Sequence, residues 1–175
     1  MEELANELLF NIDTHYNEYH EMNVFIEKFK LNINHRNENG KGRTALHYAI
    51  EVCRPKMIKK ILINGADPNI KDYYGETALH YAAKFGCKED IIIILLKYGA
   101  NINITNNIGE TPILFSVLYK QFAGMKLLLN YSADITISNI YGTSVIKILA
   151  NKDPLEEDFK DVYMYILKLL WNLEK

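Results

Sequence analysis

The chain has 175 residues, 49% apolar and 24% charged, with a net charge of −2 and a pI of about 6.2. That length suits one compact domain or one array of small units, with enough apolar residues to bury a core. The balance of charge shows no basic excess and argues mildly against a nucleic-acid surface, and the longest aliphatic run, Ile91 to Leu96, is far too short to span a bilayer.

In chain order, the first stretch, "MEELANELLF", is acidic and lacks the cationic segment and cleavage site of a signal peptide, so none is expected. Helices are predicted over about 2–12 and 20–29 as a degenerate first unit. "KFKLNINHRN" at 28–37 is a weak copy of a pattern that then recurs. "NGKGRTALHYAI", "DYYGETALHYAA", "NNIGETPILFSV" and "NIYGTSVIKIL" place Gly42, Gly75, Gly109 and Gly142 at spacings of 33, 34 and 33. Thr44, Thr77, Thr111 and Ser144 follow by two. A second series in phase with the first, "LINGADPNIKD", "LKYGANINITN" and "LNYSADITISN", carries Gly65, Gly99 and Ser132.

Each period reads as one supersecondary unit. The Thr hydroxyl suits the N-cap of a short helix. After a break such as "KFGCKED" comes a second helix such as "DIIIILLKY", which ends at a glycine able to take the left-handed conformation. That central helix is apolar on nearly all sides, so it must be covered on more than one face. One unit cannot bury its own apolar surface, and stability must come from stacking on neighbours. Lys30 and Ser132 stand where glycine is usual, at a cost on the order of 1 kcal/mol each. Beyond the last unit, Asp153-Pro154-Leu155-Glu156 starts a helix predicted over about 155–173. Phe159, Val162, Tyr163, Ile166 and Leu170 form its apolar stripe. A terminal unit needs such a one-sided helix for solubility.

The run Gly40-Lys41-Gly42-Arg43-Thr44 resembles a phosphate loop only superficially. The phosphate loop is GxxxxGK[ST] after a strand, and the same turn recurs at Gly75, Gly109 and Gly142 without lysine. Gly42 therefore belongs to a repeated turn that needs a positive φ. Asn37 matches Asp72, yet Thr44 lies seven residues on where Thr77 lies five on, so the first turn is two residues longer. The sequence contains no HExxH, CxxC or GxSxG. Glu156-Glu157-Asp158 reads as a first helical turn biased to the helix dipole. Cys53 and Cys87 lack a metal or redox spacing and are expected as free, mostly buried thiols in a reducing compartment.

Thr44-Ala45-Leu46-His47-Tyr48-Ala49 and Thr77-Ala78-Leu79-His80-Tyr81-Ala82 resemble the T-P-L-H-x-A opening of the first helix in an ankyrin repeat. Thr111-Pro112-Ile113-Leu114 keeps Thr-Pro but puts Leu in place of His, and Ser144-Val145-Ile146-Lys147 keeps little beyond the hydroxyl. The resemblance covers roughly residues 31–150. It implies an all-α ankyrin-repeat solenoid of helix-turn-helix units joined by β-turn fingers, about five units including degenerate caps. The expected division is a cap at 1–36, repeats at 37–71, 72–105 and 106–138, and a C-terminal repeat with capping helix at 139–175.

The resemblance further implies that His47 and His80 are structural, bonding between backbone segments of adjacent turns. It implies no catalysis, cofactor or metal, and a protein partner held on a concave face of fingers and first helices. Carried onto this sequence, that face offers Lys41 and Arg43 in the first unit, with Glu51 and Val52. It offers Tyr73, Tyr74, Glu76, Lys84 and Phe85 in the second. The third supplies Ile108, Glu110 and Tyr119, with Asn107 and Leu118, and the fourth Ile140, Tyr141 and Thr143. The framework does not require Tyr73, Tyr74, Ile108 and Tyr141 at exposed tips, which suggests one contiguous patch. The lengthened cationic fingertip adds the expectation of acidic groups on the partner near the N-terminal end.

A monomer in the cytoplasm is expected, or in the cytoplasm or nucleus of a host cell, with neither nucleic acid nor membrane as partner. Size and residue usage resemble the small ankyrin proteins of large DNA viruses such as poxviruses, which implies a modulator of host innate signalling such as NF-kappaB. Alternatives are a substrate-recruiting adaptor for a ubiquitin ligase, and an inert or self-assembling repeat fragment. "VYMYILKLLWNLEK" looks like a capping helix rather than a ligase-recruiting segment. Asn69 and Asn103 lie in the Asp/Asn-x-Asn turn that asparagine hydroxylases read in this family.

Overall fold

The structure, a computed structural model, describes residues 32–38, 40–151, 160 and 163–166. The helices expected at 2–12 and 20–29, with Lys30, lie outside the described residues. In order come α1 (Ala45–Glu51), α2 (Pro55–Ile63), α3 (Ala78–Phe85), α4 (Glu89–Lys97), α5 (Pro112–Leu118), α6 (Phe122–Asn130) and α7 (Val145–Ala150). Of the predicted C-terminal helix, residues 160 and 163–166 are described and helical, and Tyr163 and Ile166 pack on the core.

Local chemistry explains five of the seven starts. Thr44 and Thr77 head α1 and α3 in capping boxes whose third helical residue is His47 or His80. The Leu114 N–H donates to Thr111 Oγ1 at 3.4 Å and the Lys147 N–H to Ser144 Oγ at 3.4 Å. Pro55 and Pro112 sit at the first helical position, where no N–H is needed. The ends after α2 and α4 use Gly65 and Gly99 at φ 87° and 88°; Ser132 takes φ 64° at the matching position.

The first helices of each pair, α1, α3, α5 and α7, stack in one layer, and the second helices, α2, α4 and α6, form the other. The result is an all-α solenoid; the one strand-like feature among the described residues is the isolated Asn37–Arg43 bridge. The core lies between the layers and is continuous from unit to unit. Leu46, Ile50, Ile58, Ile61, Leu79, Ile91, Ile92, Leu95, Ile113, Leu114, Met125 and Leu128 are fully buried. As the sequence required, α4 is covered by α2, α3 and α6. Fully burying each such side chain is worth about 1.5–3 kcal/mol.

The cysteines depart from expectation: Cys53 and Cys87 are joined in a disulfide, not free. Cys53 lies in the α1–α2 turn with φ 46°, and Cys87 in the α3–α4 turn; their Cα atoms are 5.6 Å apart. Their separation of 34 is one repeat length, and stacking brings consecutive turns side by side. The bond staples the first described unit to the second at the end of the inner helices away from the fingers.

Candidate functional site

Each finger is built on one Asx residue. Asp72 Oδ1 accepts the N–H groups of Tyr74 and Glu76, both at 2.9 Å, and the Asp72 N–H donates to the Glu76 carbonyl at 2.9 Å. Asn106 and Asn139 repeat the arrangement. Gly75, at φ 77°, closes the turn where a Cβ would collide with Asn107 of the next finger. The fingers are bonded side by side: Tyr73 N–H to Lys41 carbonyl at 2.9 Å, Asn107 N–H to Tyr74 carbonyl at 3.0 Å, Ile140 N–H to Ile108 carbonyl at 2.9 Å. In the first finger the Asn37 N–H pairs with the Arg43 carbonyl, so this loop is longer by two residues.

Beneath the fingers, His47 and His80 lock the fingers to the inner helices. The His47 ring meets the Glu76 carbonyl through Nε2 at 3.2 Å, and His80 meets the Glu110 carbonyl at 3.0 Å. A carbonyl can only accept, so Nε2 carries the proton. Nδ1 then accepts the N–H of Thr44 or Thr77, each at 3.1 Å. Burial pushes both imidazoles down, to about 4, so both are neutral at physiological pH. Each ring also meets an aromatic edge-on, His47 with Tyr81 at 5.0 Å and His80 with Phe115 at 5.1 Å. The two histidines are thus held structurally, as expected of them.

The candidate partner-binding residues differ in availability. Tyr73, Tyr74, Phe85, Tyr119, Ile140 and Tyr141 are exposed, with Tyr141 at 75% the most open of these. Lys41 is exposed and lies over the Tyr74 ring at 5.6 Å. Ile108, Glu76, Glu110 and Lys84 are half-buried. Arg43 is turned inward rather than presented at the tip. It pairs with Glu51 at 2.7 Å, donates to the Gly40 carbonyl at 3.1 Å and stacks on Tyr48 at 4.4 Å. Arg36, at 5.1 Å over Tyr73, supplies a cation there that the sequence reading did not single out.

Tyr74, Glu76, Asn106, Asn107, Ile108, Glu110, Phe115, Leu118 and Tyr119 line a cavity of about 270 Å³ between the second and third fingers. The sequence did not single out Asn106 and Phe115, which match Asp72 and Tyr81 in the repeat. Burial raises the pKa of Glu76; Lys84, 4.0 Å away, opposes this, while Asp72 and Glu110 add to it. Among the described residues no group of three or more His, Cys, Asp or Glu could hold a metal ion. Nor is any helix there long and apolar enough to cross a membrane.

Residues 53–139 match the family described as ankyrin repeats (3 copies). The chain is 33% identical over 141 residues to the ankyrin repeat protein L86 of Acanthamoeba polyphaga mimivirus, covering 67% of this chain and 24% of that one. It is 32% identical over 132 residues to the ankyrin repeat protein FPV034 of fowlpox virus, covering 75% and 30%. It is 30% identical over 110 residues to the mouse B-cell lymphoma 3 protein homolog, covering 60% and 24%. The chain therefore spans 24% to 30% of the length of these relatives. The family's repeats are a protein-interaction fold without catalytic chemistry of their own. With the helix pairs, the Asx-built fingers and the histidine locks in place, this chain is an ankyrin-repeat protein.

Proposed function

We propose that the chain binds a partner protein on the concave face formed by its fingers and inner helices, and that it is not an enzyme. The observation that supports this is the set of exposed aromatic and apolar side chains on the second and fourth fingers, Tyr73 and Tyr74, then Ile140 and Tyr141, with the half-buried Ile108 on the finger between. The fingers are tied to one another through backbone bonds. These side chains therefore stand on a rigid base and lose little entropy on binding. Phe85 and Tyr119, exposed at the ends of the inner helices, extend the same apolar face. Lys41 supplies positive charge at its N-terminal end, while Arg43 is spent on Glu51.

Affinity capture with wild type and with Tyr73→Ala/Tyr74→Ala/Tyr141→Ala tests this. The triple variant should melt as wild type does and lose its specific partner; equal capture by both would refute the face. The likeness to mimivirus and fowlpox proteins supports a second reading, in which the partner is a host signalling protein, such as a component of NF-kappaB signalling. Capture from host lysate distinguishes it. We further infer a monomer, which sedimentation at high concentration tests.

A further inference from the structure

The base of each finger and the last turn of the inner helix beneath it form a repeated pair of positions. In the first unit the pair is Arg43 and Glu51, bridged at 2.7 Å. In the second the signs are reversed, Glu76 and Lys84, at 4.0 Å. In the third the pair is Glu110 and Leu118. The repeat thus places a carboxylate in the third slot and an apolar side chain where its cation would stand. Glu110 is instead gripped by amides: Asn106 Nδ2 donates to Oε2 at 3.0 Å and Asn139 Nδ2 to Oε1 at 3.4 Å. Those bonds orient the carboxylate without neutralising it, and acceptor sites on both oxygens remain.

Glu110 lines the cavity between the second and third fingers, together with Glu76, while its carboxylate reaches from Asn106 to Asn139 of the fourth finger. Tyr74, Phe115 and Tyr119 wall the cavity, and its lining residues include two acids and no Lys or Arg. At about 270 Å³ it falls just below the roughly 300–1,000 Å³ of small-molecule sites and suits one long side chain. We propose that this cavity receives an arginine side chain from the partner, its guanidinium paired with Glu110 and Glu76 and stacked on Tyr74 and Tyr119. The proposal rests on the finger-face reading and names the chemistry of what docks there: an extended segment with arginine flanked by apolar residues. Arginine fits better than lysine, because its planar fork matches two oriented carboxylates and its face stacks on aromatic rings. Lys84 shows that the spot attracts a cation: its ammonium lies 5.2 Å over Tyr119 and 4.0 Å from Glu76. It is a weakly held internal cation that an incoming guanidinium displaces. The half-desolvated Glu76, raised in pKa by burial, gains from that exchange.

The test is an amide NMR titration of the full chain with pools of capped nonapeptides, randomised except at the centre. The centre is fixed as arginine, as neutral isosteric citrulline, or as lysine. The arginine pool should shift the amides of Tyr74, Asn107, Glu110 and Tyr119 saturably, with the citrulline pool at least tenfold weaker and lysine between. Glu110→Gln, which keeps the side chain's shape and an acceptor for one of the two amides, should abolish the arginine preference. Tyr119→Leu, at an exposed position, should weaken binding without lowering the melting temperature. Lys84→Gln should strengthen it severalfold. Equal arginine and citrulline binding, an unchanged preference in Glu110→Gln, or no arginine-dependent shift at millimolar peptide would each overturn the arginine site. Shifts confined to Tyr73, Ile140 and Tyr141 would do so too while leaving the finger face standing. Capture indifferent to the tyrosine triple variant would instead sink the face itself.

Discussion

His80 Nε2 donates to the Glu110 carbonyl at 3.0 Å, joining a helix of one repeat to the finger of the next across 30 residues of sequence. The same ring accepts the Thr77 N–H through Nδ1 at 3.1 Å. One neutral imidazole therefore satisfies a helix-start donor and an inter-repeat acceptor together. His47 does the same for Thr44 and Glu76. Such a group is costly to remove: the Thr44 or Thr77 N–H loses its acceptor in a buried place, and the Glu76 or Glu110 carbonyl keeps only the N–H of Asp72 or Asn106.

His80→Ala should destabilise the chain by about 2–4 kcal/mol, from one unsatisfied buried N–H, the lost bond to the Glu110 carbonyl and the cavity left beside Phe115. Urea unfolding, read as a lower midpoint with an unchanged slope, checks this. A variant with wild-type stability would remove the histidine from its structural role.

Stability should also fall with acid in a defined window. Both rings are held at about 4, below the ordinary histidine value near 6.5. The unfolded chain therefore binds more protons between those values, and stability rises with pH across them. Each ring's contribution is full above about 6.5 and is lost as pH falls toward 4, on the order of 3 kcal/mol per ring. Arg36, Arg43 and Asp72 surround His47, and Lys71 and Asp72 act on His80. Thermal melts from pH 7 to pH 4 should show a steep decline in wild type, shallower in His47→Gln/His80→Gln measured against its own pH 7 value.

The Cys53–Cys87 bond closes a loop of one repeat, and its sequence separation of 34 corresponds to roughly 3–4 kcal/mol of chain-entropy stabilisation. Reductant should lower the melting temperature of wild type and leave Cys53→Ala/Cys87→Ala unmoved. Equal melts of wild type with and without reductant would show that the bond does not constrain the unfolded chain as argued.

Ser132 adopts φ 64° where Gly65 and Gly99 hold φ 87° and 88°. Ser132→Gly should relieve a left-handed strain of roughly 1 kcal/mol and raise the melting temperature. The same change at an ordinary helical position would lower it, so the sign of the shift is the readout.

The repeat was legible because its signals are local and periodic. Gly42, Gly75, Gly109 and Gly142 recur wherever the finger must take positive φ, and the structure finds each there, from 73° to 84°. Thr44 and Thr77 with His47 and His80 announce the helix starts, and the all-apolar α4 announces neighbours on more than one side. The two extra residues of the first finger could be counted from Asn37 and Thr44 alone. Arg43 was less legible. It sits in the cationic tip by sequence, but its side chain reaches back to Glu51, because the inner helix begins two residues later, at Ala45, and rises directly beneath it.

By itself the sequence determined the stacked array, its turn chemistry and the aromatic character of its fingers. All of these follow from patterns within one repeat length. Tertiary structure alone decided that Cys53 meets Cys87, that Arg43 and Glu51 reverse sign as Glu76 and Lys84, and that Glu110 is left facing a cavity with amides for company. Each of these depends on which side chains two adjacent repeats bring into contact. Period and propensity set the spacing of the units, but the stacking of one unit on the next sets the distances, and charge pairing and disulfide formation turn on a few ångströms.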